Sequence, residues 1–189
     1  MAYFVGLDLN DQTRDHLSEL QKTCGDQFPE VTWLGRDQLF AVLKFLGELD
    51  ENSLKPIRKA ATTLASEIAP FEISLAKSDC FPATDPPRTV WVGIQEQNDM
   101  LWRLMRGCES KLLPSVAGEQ NRSTIPHIVI GRIPAKTVQG NLRKRVQGFA
   151  VEPLSARVED LLLIESRSGK KGTEYHVSAR FPFTANVWK

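Results

Sequence analysis

The chain has 189 residues, of which 41% are hydrophobic and 25% are charged, as expected of a soluble globular protein with one domain and a sizeable core. Its 24 Lys and Arg residues nearly balance its 23 Asp and Glu residues. The formal net charge of +1 excludes a global field that would draw the protein to nucleic acid or to a membrane, so any anion site must be local.

The first half of the chain alternates strands and helices. "YFVGLDL" reads as a buried strand and "NDQTRDHLSELQKTCG" as a helix, with Asn10 or Asp11 as its N-cap and Gly25 at its end. Strands are expected next at "VTWL" and "QLFAVLKFL". An amphipathic helix is expected at "DENSLKPIRKAATTLASEIA", and Pro56 predicts that this helix begins near that residue.

The second half contains more strands than helices. "PFEISLAK" and "RTVWVGI" are expected strands separated by the Pro-rich loop "CFPATDPPR", and "NDMLWRLMRGCESKLLP" is an expected amphipathic helix. The strand "TIPHIVIGRI" and the short basic helix "TVQGNLRKRVQG" follow, and "SGKKG" predicts a hairpin between the last two strands. This order predicts an α+β fold, and the absence of a G-x-G-x-x-G or P-loop spacing argues against a dinucleotide-binding fold.

The three cysteines indicate the compartment. Cys24, Cys80 and Cys108 are odd in number, widely spaced and outside any C-x-x-C pattern, so free thiols in a reducing compartment are expected and a zinc site is not. The opening "MAYFVGLDL" lacks a basic n-region, and no apolar run approaches the roughly 20 residues of a membrane span. We therefore expect a cytoplasmic protein with no membrane contact, no metal and no cofactor.

The stretch "LFAVLKFLG" poses a question about its second face. Alternation along a strand puts Phe40, Val42 and Lys44 on one face, while the opposite face is already apolar enough to form a core. A second face with two apolar side chains and then a lysine is not what core packing requires.

Five sequence blocks, taken in order, resemble one family: "FVGLDLNDQTRDHL", "VTWLGRDQLFAVLKFLGELDE", "PFEISLAKSDCFPATDPPRTVWVGI", "IPHIVIGRI" and "LLLIESRSGKKGTEYHVSARFPF". The chain resembles the RNA 2',3'-cyclic phosphodiesterases, also called 2'-5' RNA ligases, of the two-histidine (2H) phosphoesterase superfamily. The resemblance implies one bilobal α+β domain over residues 1–189. It implies two antiparallel sheets flanking a central cleft, with helices on the outside and one His-x-Thr motif on a strand of each lobe.

The resemblance places these motifs on residues that lack most of their chemistry. The first His-x-Thr falls on Phe40-Ala41-Val42 and the second on His127-Ile128-Val129. In the family one His takes a proton from the attacking water, the other protonates the departing ribose oxygen, and the Thr hydroxyls hold the phosphate. Only His127 remains as a candidate catalytic group. Phe40, Val42 and Val129 are then expected to line the cleft, which explains the second apolar face.

Two basic residues match family positions as well. Lys44 and Arg132 correspond to basic residues of the motifs, so the resemblance implies that they contact a substrate phosphate. The expected partners are RNA ends or nucleotides that carry a phosphate. Each residue also has a simpler interpretation, since His127 could be an ordinary buried histidine, Lys44 and Arg132 solvated charges, and the three apolar residues ordinary strand packing.

Three functional hypotheses remain open at this point. The first is a catalytically impaired family member that binds a phosphorylated nucleotide or RNA end through His127, Lys44 and Arg132. The second is a cyclic phosphodiesterase that still works with His127 and a substitute group. The third is an interaction protein whose apolar cleft, lined by Phe40, Val42 and Val129, accepts an apolar ligand or peptide.

Overall fold

The computed structural model describes residues 1–83, 86–96, 99–115, 125–135, 141–169 and 172–186. The strands are β1 (Ala2–Leu7), β2 (Thr32–Trp33), β3 (Ala41–Glu48), β4 (Phe71–Phe81), β5 (Thr89–Gln95), β6 (His127–Arg132), β7 (Ser155–Val158), β8 (Asp160–Gly169) and β9 (Gly172–Pro182). The helices are α1 (Asp11–Gly25), α2 (Glu51–Ser66), α3 (Met100–Gly107) and α4 (Leu142–Gln147). A π-helical turn, Cys108–Leu112, extends α3.

The strands form one continuous, curled sheet whose two halves correspond to the two expected lobes. The strand order is β7-β4-β5-β6-β3-β1-β8-β9, with β2 paired to the same edge of β6 as β3. Each strand pair is antiparallel. The halves meet at the short pairing of β3 with β6, which spans only Ala41↔Ile128 and Val42↔His127. The expected α+β class and family fold are confirmed.

The helices cover one face of this sheet and enclose the main core. Leu17 of α1, Ile57 of α2 and Leu104 of α3 are fully buried against strand residues such as Leu43 and Ile128. Within the described part of the chain, none of the helices is both long and apolar enough to cross a membrane.

Capping explains where the first two helices begin. The Asn10 side chain accepts a hydrogen bond from the Thr13 N–H at 2.8 Å, as the sequence predicts for α1. α2 begins at Glu51 instead of near Pro56, so that prediction is wrong. The Asp50 side chain caps α2 by accepting from the Ser53 N–H at 2.8 Å, and Pro56 lies inside the helix.

Strand β3 departs from simple alternation because it contains a bulge. Val42 pairs with Gly6 and Lys44 pairs with Val5, which leaves Leu43 as an extra residue without a partner on β1. An extra residue shifts the side chains that follow it to the other face of the sheet. The two faces of β3 are therefore exchanged after Leu43, so that Lys44 lies on the side of the main core.

The opposite face of the sheet carries a second, smaller apolar cluster. Four of its residues are buried and lie on β1, on β8 and just before β3: Phe4, Phe40, Leu162 and Ile164. Val42 and Tyr175 pack against this cluster. Tyr175 belongs to the β8–β9 hairpin, whose predicted turn closes at the Gly169↔Gly172 pair, while Lys170 and Lys171 lie outside the described residues.

Candidate functional site

The two strands with the motif positions are neighbours, and they present those positions on one face. Val42 and His127 are directly opposite each other in the β3–β6 pairing, so their side chains project to the same side of the sheet. Alternation adds Phe40 and Val129 to that side, away from the helices. The structure thus brings together Phe40, Val42, His127 and Val129.

Phe40 is packed as part of a core. Its ring lies edge-on to the ring of Tyr175, with centroids 6.5 Å apart, and the Arg14 guanidinium lies 5.0 Å from its centroid. The side chain is only 7% exposed. The ring therefore fills the first motif position, and Phe40 also borders a cavity that Arg14 and Arg180 line.

The arginine above Phe40 is fixed by a dense set of contacts. Arg14 donates to the backbone carbonyls of Leu9 at 3.0 Å and Leu39 at 2.7 Å, and to the Asp8 carboxylate at 2.7 Å. Asp8 also accepts from Arg180 at 2.6 Å. Burial raises the pKa of Asp8, but the hydrogen bonds from Arg180 and Arg14 outweigh burial and leave this pKa below its usual value.

The imidazole of His127 is buried between aromatic rings. Its ring lies edge-on to Phe81 and Trp91, with centroids 4.9 Å and 5.8 Å away, and Nδ1 is 2.6 Å from the Ile125 carbonyl oxygen. Donation from Nδ1 to that carbonyl leaves Nε2 as the nitrogen able to accept a proton. Burial lowers the pKa of His127, although the hydrogen bond to Ile125 partly opposes that shift.

Lys44 does not share the face of Phe40. It pairs with Val5, a residue of the main core, and its Nζ lies 3.2 Å from Oε1 of Glu109 in the π-helical turn. The prediction that Lys44 lies on the same face as Phe40 is therefore wrong, because the bulge in β3 reverses the faces. The structure does not bring Lys44 together with the other candidate residues.

Arg132 reaches across to the other half of the sheet. Its Nη2 donates to the phenolic oxygen of Tyr175 on β9. Its Nε is buried and has no hydrogen-bond partner among the described residues. The guanidinium borders a cavity of about 310 Å³, whose other lining residues are Thr32, Trp33, Leu34, Gln38, Thr173 and Glu174.

Other polar groups on this side were not evident from the sequence. The indole Nε1 of Trp91 is buried without a partner in the described ranges, and Trp91 stacks on Phe81 with centroids 4.9 Å apart. Trp91 pairs with Val129, which places it on the His127 face. Tyr175 was missed too, since its role depends on contact with Arg132 from a strand 43 residues away.

Two of the three basic residues of α4, Arg143 and Arg145, form ion pairs. Arg143 lies 3.2 Å from the Asp79 carboxylate and Arg145 lies 2.8 Å from that of Glu30. These contacts fit a structural role better than a nucleic-acid interface. Among the residues that the structure describes, no group of three or more His, Cys, Asp or Glu side chains could hold a metal ion.

The chain is similar in sequence to known proteins. Residues 7–91 match the family described as LigT like Phosphoesterase. The RNA 2',3'-cyclic phosphodiesterase of Methanothermobacter thermautotrophicus is 27% identical over 173 residues, which cover 91% of this chain and 93% of that protein.

Solved structures show the same architecture. The TT0787 protein of Thermus thermophilus has a TM-score of 0.77 and 25% identity, with 99% of this chain and 100% of that chain covered. Escherichia coli LigT complexed with 3'-AMP has a TM-score of 0.76 and 21% identity, with 97% and 98% covered. These matches agree with the resemblance seen in the sequence, and the solved structures confirm the predicted fold.

Proposed function

Because the chain is a relative of the LigT-like phosphoesterases in sequence and in fold, we propose that it binds phosphorylated nucleotides or RNA ends while hydrolysing cyclic phosphates slowly or not at all. The binding residues in this proposal are Arg132 and His127. Residues 1–189 act as one domain, as the continuous sheet supports, and three buried cysteines that form no disulfide support a cytoplasmic location.

The packing of Phe40 is the observation that carries the proposal. Hydrolysis in this family needs one group to accept a proton and another to donate one, and each contributes about 100- to 10,000-fold in rate. The phenyl ring of Phe40 has no titratable nitrogen, and Tyr175 and Arg14 enclose it. A single imidazole at His127 leaves one of the two proton transfers without a carrier.

The surroundings of β6 support binding. Arg132 Nε and Trp91 Nε1 are buried N–H groups without partners in the described residues, and such groups are costly unless they meet an acceptor. A phosphate supplies oxygen acceptors and a charge opposite to that of Arg132. The related LigT of known structure was solved with 3'-AMP, which makes this nucleotide a suitable first ligand.

The other two hypotheses have less support. An apolar ligand would need an apolar opening at Phe40, but that residue is 7% exposed and the cavity it borders is lined mainly by charged side chains such as Asp8 and Arg180. A working phosphodiesterase would need a second proton carrier, but the position that the resemblance gives to the first motif histidine holds Phe40.

One experiment tests binding and turnover together. Titration calorimetry with 3'-AMP at low ionic strength measures affinity, and release of a phosphomonoester from 2',3'-cyclic AMP measures turnover. We expect measurable binding that Arg132→Gln weakens, with turnover far below about 1 per second. Arg167→Gln is the matched control, because Arg167 is exposed and pairs with Glu165 outside the site. Absence of binding, or rapid turnover lost in His127→Gln, contradicts the proposal.

A further inference from the structure

Tyr175 is the residue that joins the two halves of the sheet at the candidate site. It lies on β9 at one end of the strand order, whereas Arg132 lies on β6 in the other half. The Tyr175 ring is held edge-on by Phe4 and Phe40, with centroids 5.4 Å and 6.5 Å away. This packing fixes the hydroxyl beside the guanidinium.

The Arg132 guanidinium and the Tyr175 hydroxyl can each donate a further hydrogen bond. Because a guanidinium only donates, the Tyr175 oxygen is the acceptor in its bond with Arg132, and its own O–H remains available to donate. The Arg132 Nε is buried and has no acceptor among the residues described. Two donors, one on β6 and one on β9, thus lie together, and the guanidinium has an N–H without an acceptor in the described part of the chain.

The motif positions of this chain lack the hydroxyl groups that the family has there. Val42 and Val129 stand where the family has Thr, and a valine side chain cannot donate to a phosphate oxygen. Both valines lie on the same face of the sheet as Tyr175. Tyr175 therefore supplies a hydroxyl on a face where the motif positions supply none.

We propose that Tyr175 and Arg132 together form the phosphate-binding pair of this protein, with the tyrosine O–H and the guanidinium donating to oxygens of the same phosphate monoester. This inference rests on the proposed function and assigns its anion site. A phosphate bound there contacts both halves of the sheet, because its two donors come from β6 and β9. The nucleoside part extends into the cavity of about 310 Å³ that Arg132 borders.

The test uses substitutions that remove single groups. Tyr175→Phe deletes the hydroxyl and keeps the ring that packs on Phe4 and Phe40. Tyr3→Phe is the matched control, since Tyr3 is a buried tyrosine of the main core on the other side of the sheet. Inorganic phosphate and 3'-AMP are the probes, titrated by calorimetry at low and at high salt.

We expect Tyr175→Phe to weaken both probes about 10-fold, the effect of losing one hydrogen bond to a charged group, and Tyr3→Phe to leave both unchanged. Tyr175→Phe removes no charge, so its salt dependence should stay as steep as that of the unaltered protein. Arg132→Gln removes a charge and should make the salt dependence shallower. Loss in both single variants should be less than additive in the double variant, because both donors serve one anion.

Two results would contradict the proposal that Tyr175 and Arg132 bind phosphate together, but would leave the proposed function unaffected. One is unchanged affinity in Tyr175→Phe beside a weakened Arg132→Gln, which would leave Tyr175 a packing residue only. The other is tighter binding in Tyr175→Phe, which would make the phenol a competitor for the guanidinium. If the unaltered protein binds neither probe, both the pair and the proposed function are wrong.

Discussion

β3 and β6 are neighbouring strands of one sheet, and each presents its motif positions to the same face, but the two strands differ in what they do there. On the β3 side, Phe40 is packed by Tyr175 and Arg14, and the bulge at Leu43 turns Lys44 to the helical side. On β6, the polar groups of His127 and Arg132 remain on the face away from the helices.

The difference teaches how one face of a sheet can be apolar on one strand and polar on the next. An apolar residue on this face is stable only where neighbours exclude water, and Phe4, Leu162 and Ile164 do so for Phe40. A buried donor without a partner is destabilising, and the Arg132 Nε on β6 is such a donor among the described residues. The β3 side therefore packs as core, and the proposed binding function rests on the β6 side.

The largest expected effect tests whether the β3 side is core. Phe40→Ala should lower the free energy of unfolding by about 3–5 kcal/mol, because it removes a buried aromatic ring and leaves a cavity between Tyr175 and Arg14. Chemical denaturation measures the change. Phe45→Ala is the control, since Phe45 lies on β3 but is 38% exposed. This substitution should lower the free energy of unfolding clearly less. Equal effects of the two substitutions would show that Phe40 is not packed as a core residue.

The next prediction concerns substitutions that introduce the family's motif histidine and threonines. Phe40→His combined with Val42→Thr and Val129→Thr should raise turnover of 2',3'-cyclic AMP by about 100-fold or more, the usual contribution of one general acid or base. Val42 and His127 are already paired, so a new imidazole at position 40 lies on the same face. Release of the phosphomonoester product measures the gain.

A control separates geometry from the mere presence of histidine. Phe45→His adds an imidazole to the same strand beyond the bulge and should give no turnover. If the triple variant folds, binds 3'-AMP and remains inactive, the correspondence between Phe40 and the first motif histidine is wrong.

Only part of this site, which is apolar on the β3 side and polar on the β6 side, could be predicted from the sequence. Alternation and the family resemblance were sufficient to place Phe40, Val42, His127 and Val129 on one face, since each depends on its own strand. Alternation failed at Lys44 because the bulge arises from the pairing of β3 with β1, which Leu43 and its neighbours alone do not reveal.

Long-range contacts were the other limit. The Arg132–Tyr175 contact joins strands that lie apart in the sheet order, and its existence depends on how the sheet curls. The start of α2 was misplaced for a local reason, since the Asp50 cap determined it more strongly than Pro56 did. Element types and the family fold were predictable because hydrophobic periodicity and five ordered motif blocks agree on them.

A smaller effect distinguishes the two basic residues. Lys44→Ala should lower the free energy of unfolding by about 1–2 kcal/mol, through loss of the buried side-chain stem and of the contact with Glu109. Its affinity for 3'-AMP should stay within about two-fold of the unaltered protein, since a tenfold change in affinity requires about 1.4 kcal/mol of direct interaction. Lys44→Met keeps most of the stem and serves as the control for packing. A large loss of affinity in both Lys44 variants would place Lys44 in the site.

The smallest effect concerns pH and the β6 side. Burial lowers the pKa of His127 below its ordinary value of 6.5, so the unfolded chain binds a proton before the folded one does. The stability that neutral His127 contributes is complete above pH 6.5 and is lost as the pH falls through the folded pKa.

Between about pH 7 and pH 5.5 the protein should therefore lose up to about 1 kcal/mol of its free energy of unfolding relative to His127→Gln, which does not titrate. The control is His176→Gln, which removes a histidine whose side chain is 49% exposed. Saturating 3'-AMP should oppose the loss, because a nearby phosphate favours the protonated imidazole. Denaturation curves at the two pH values, with and without 3'-AMP, measure these differences, and an identical pH dependence in His127→Gln would show that this imidazole does not titrate in that range.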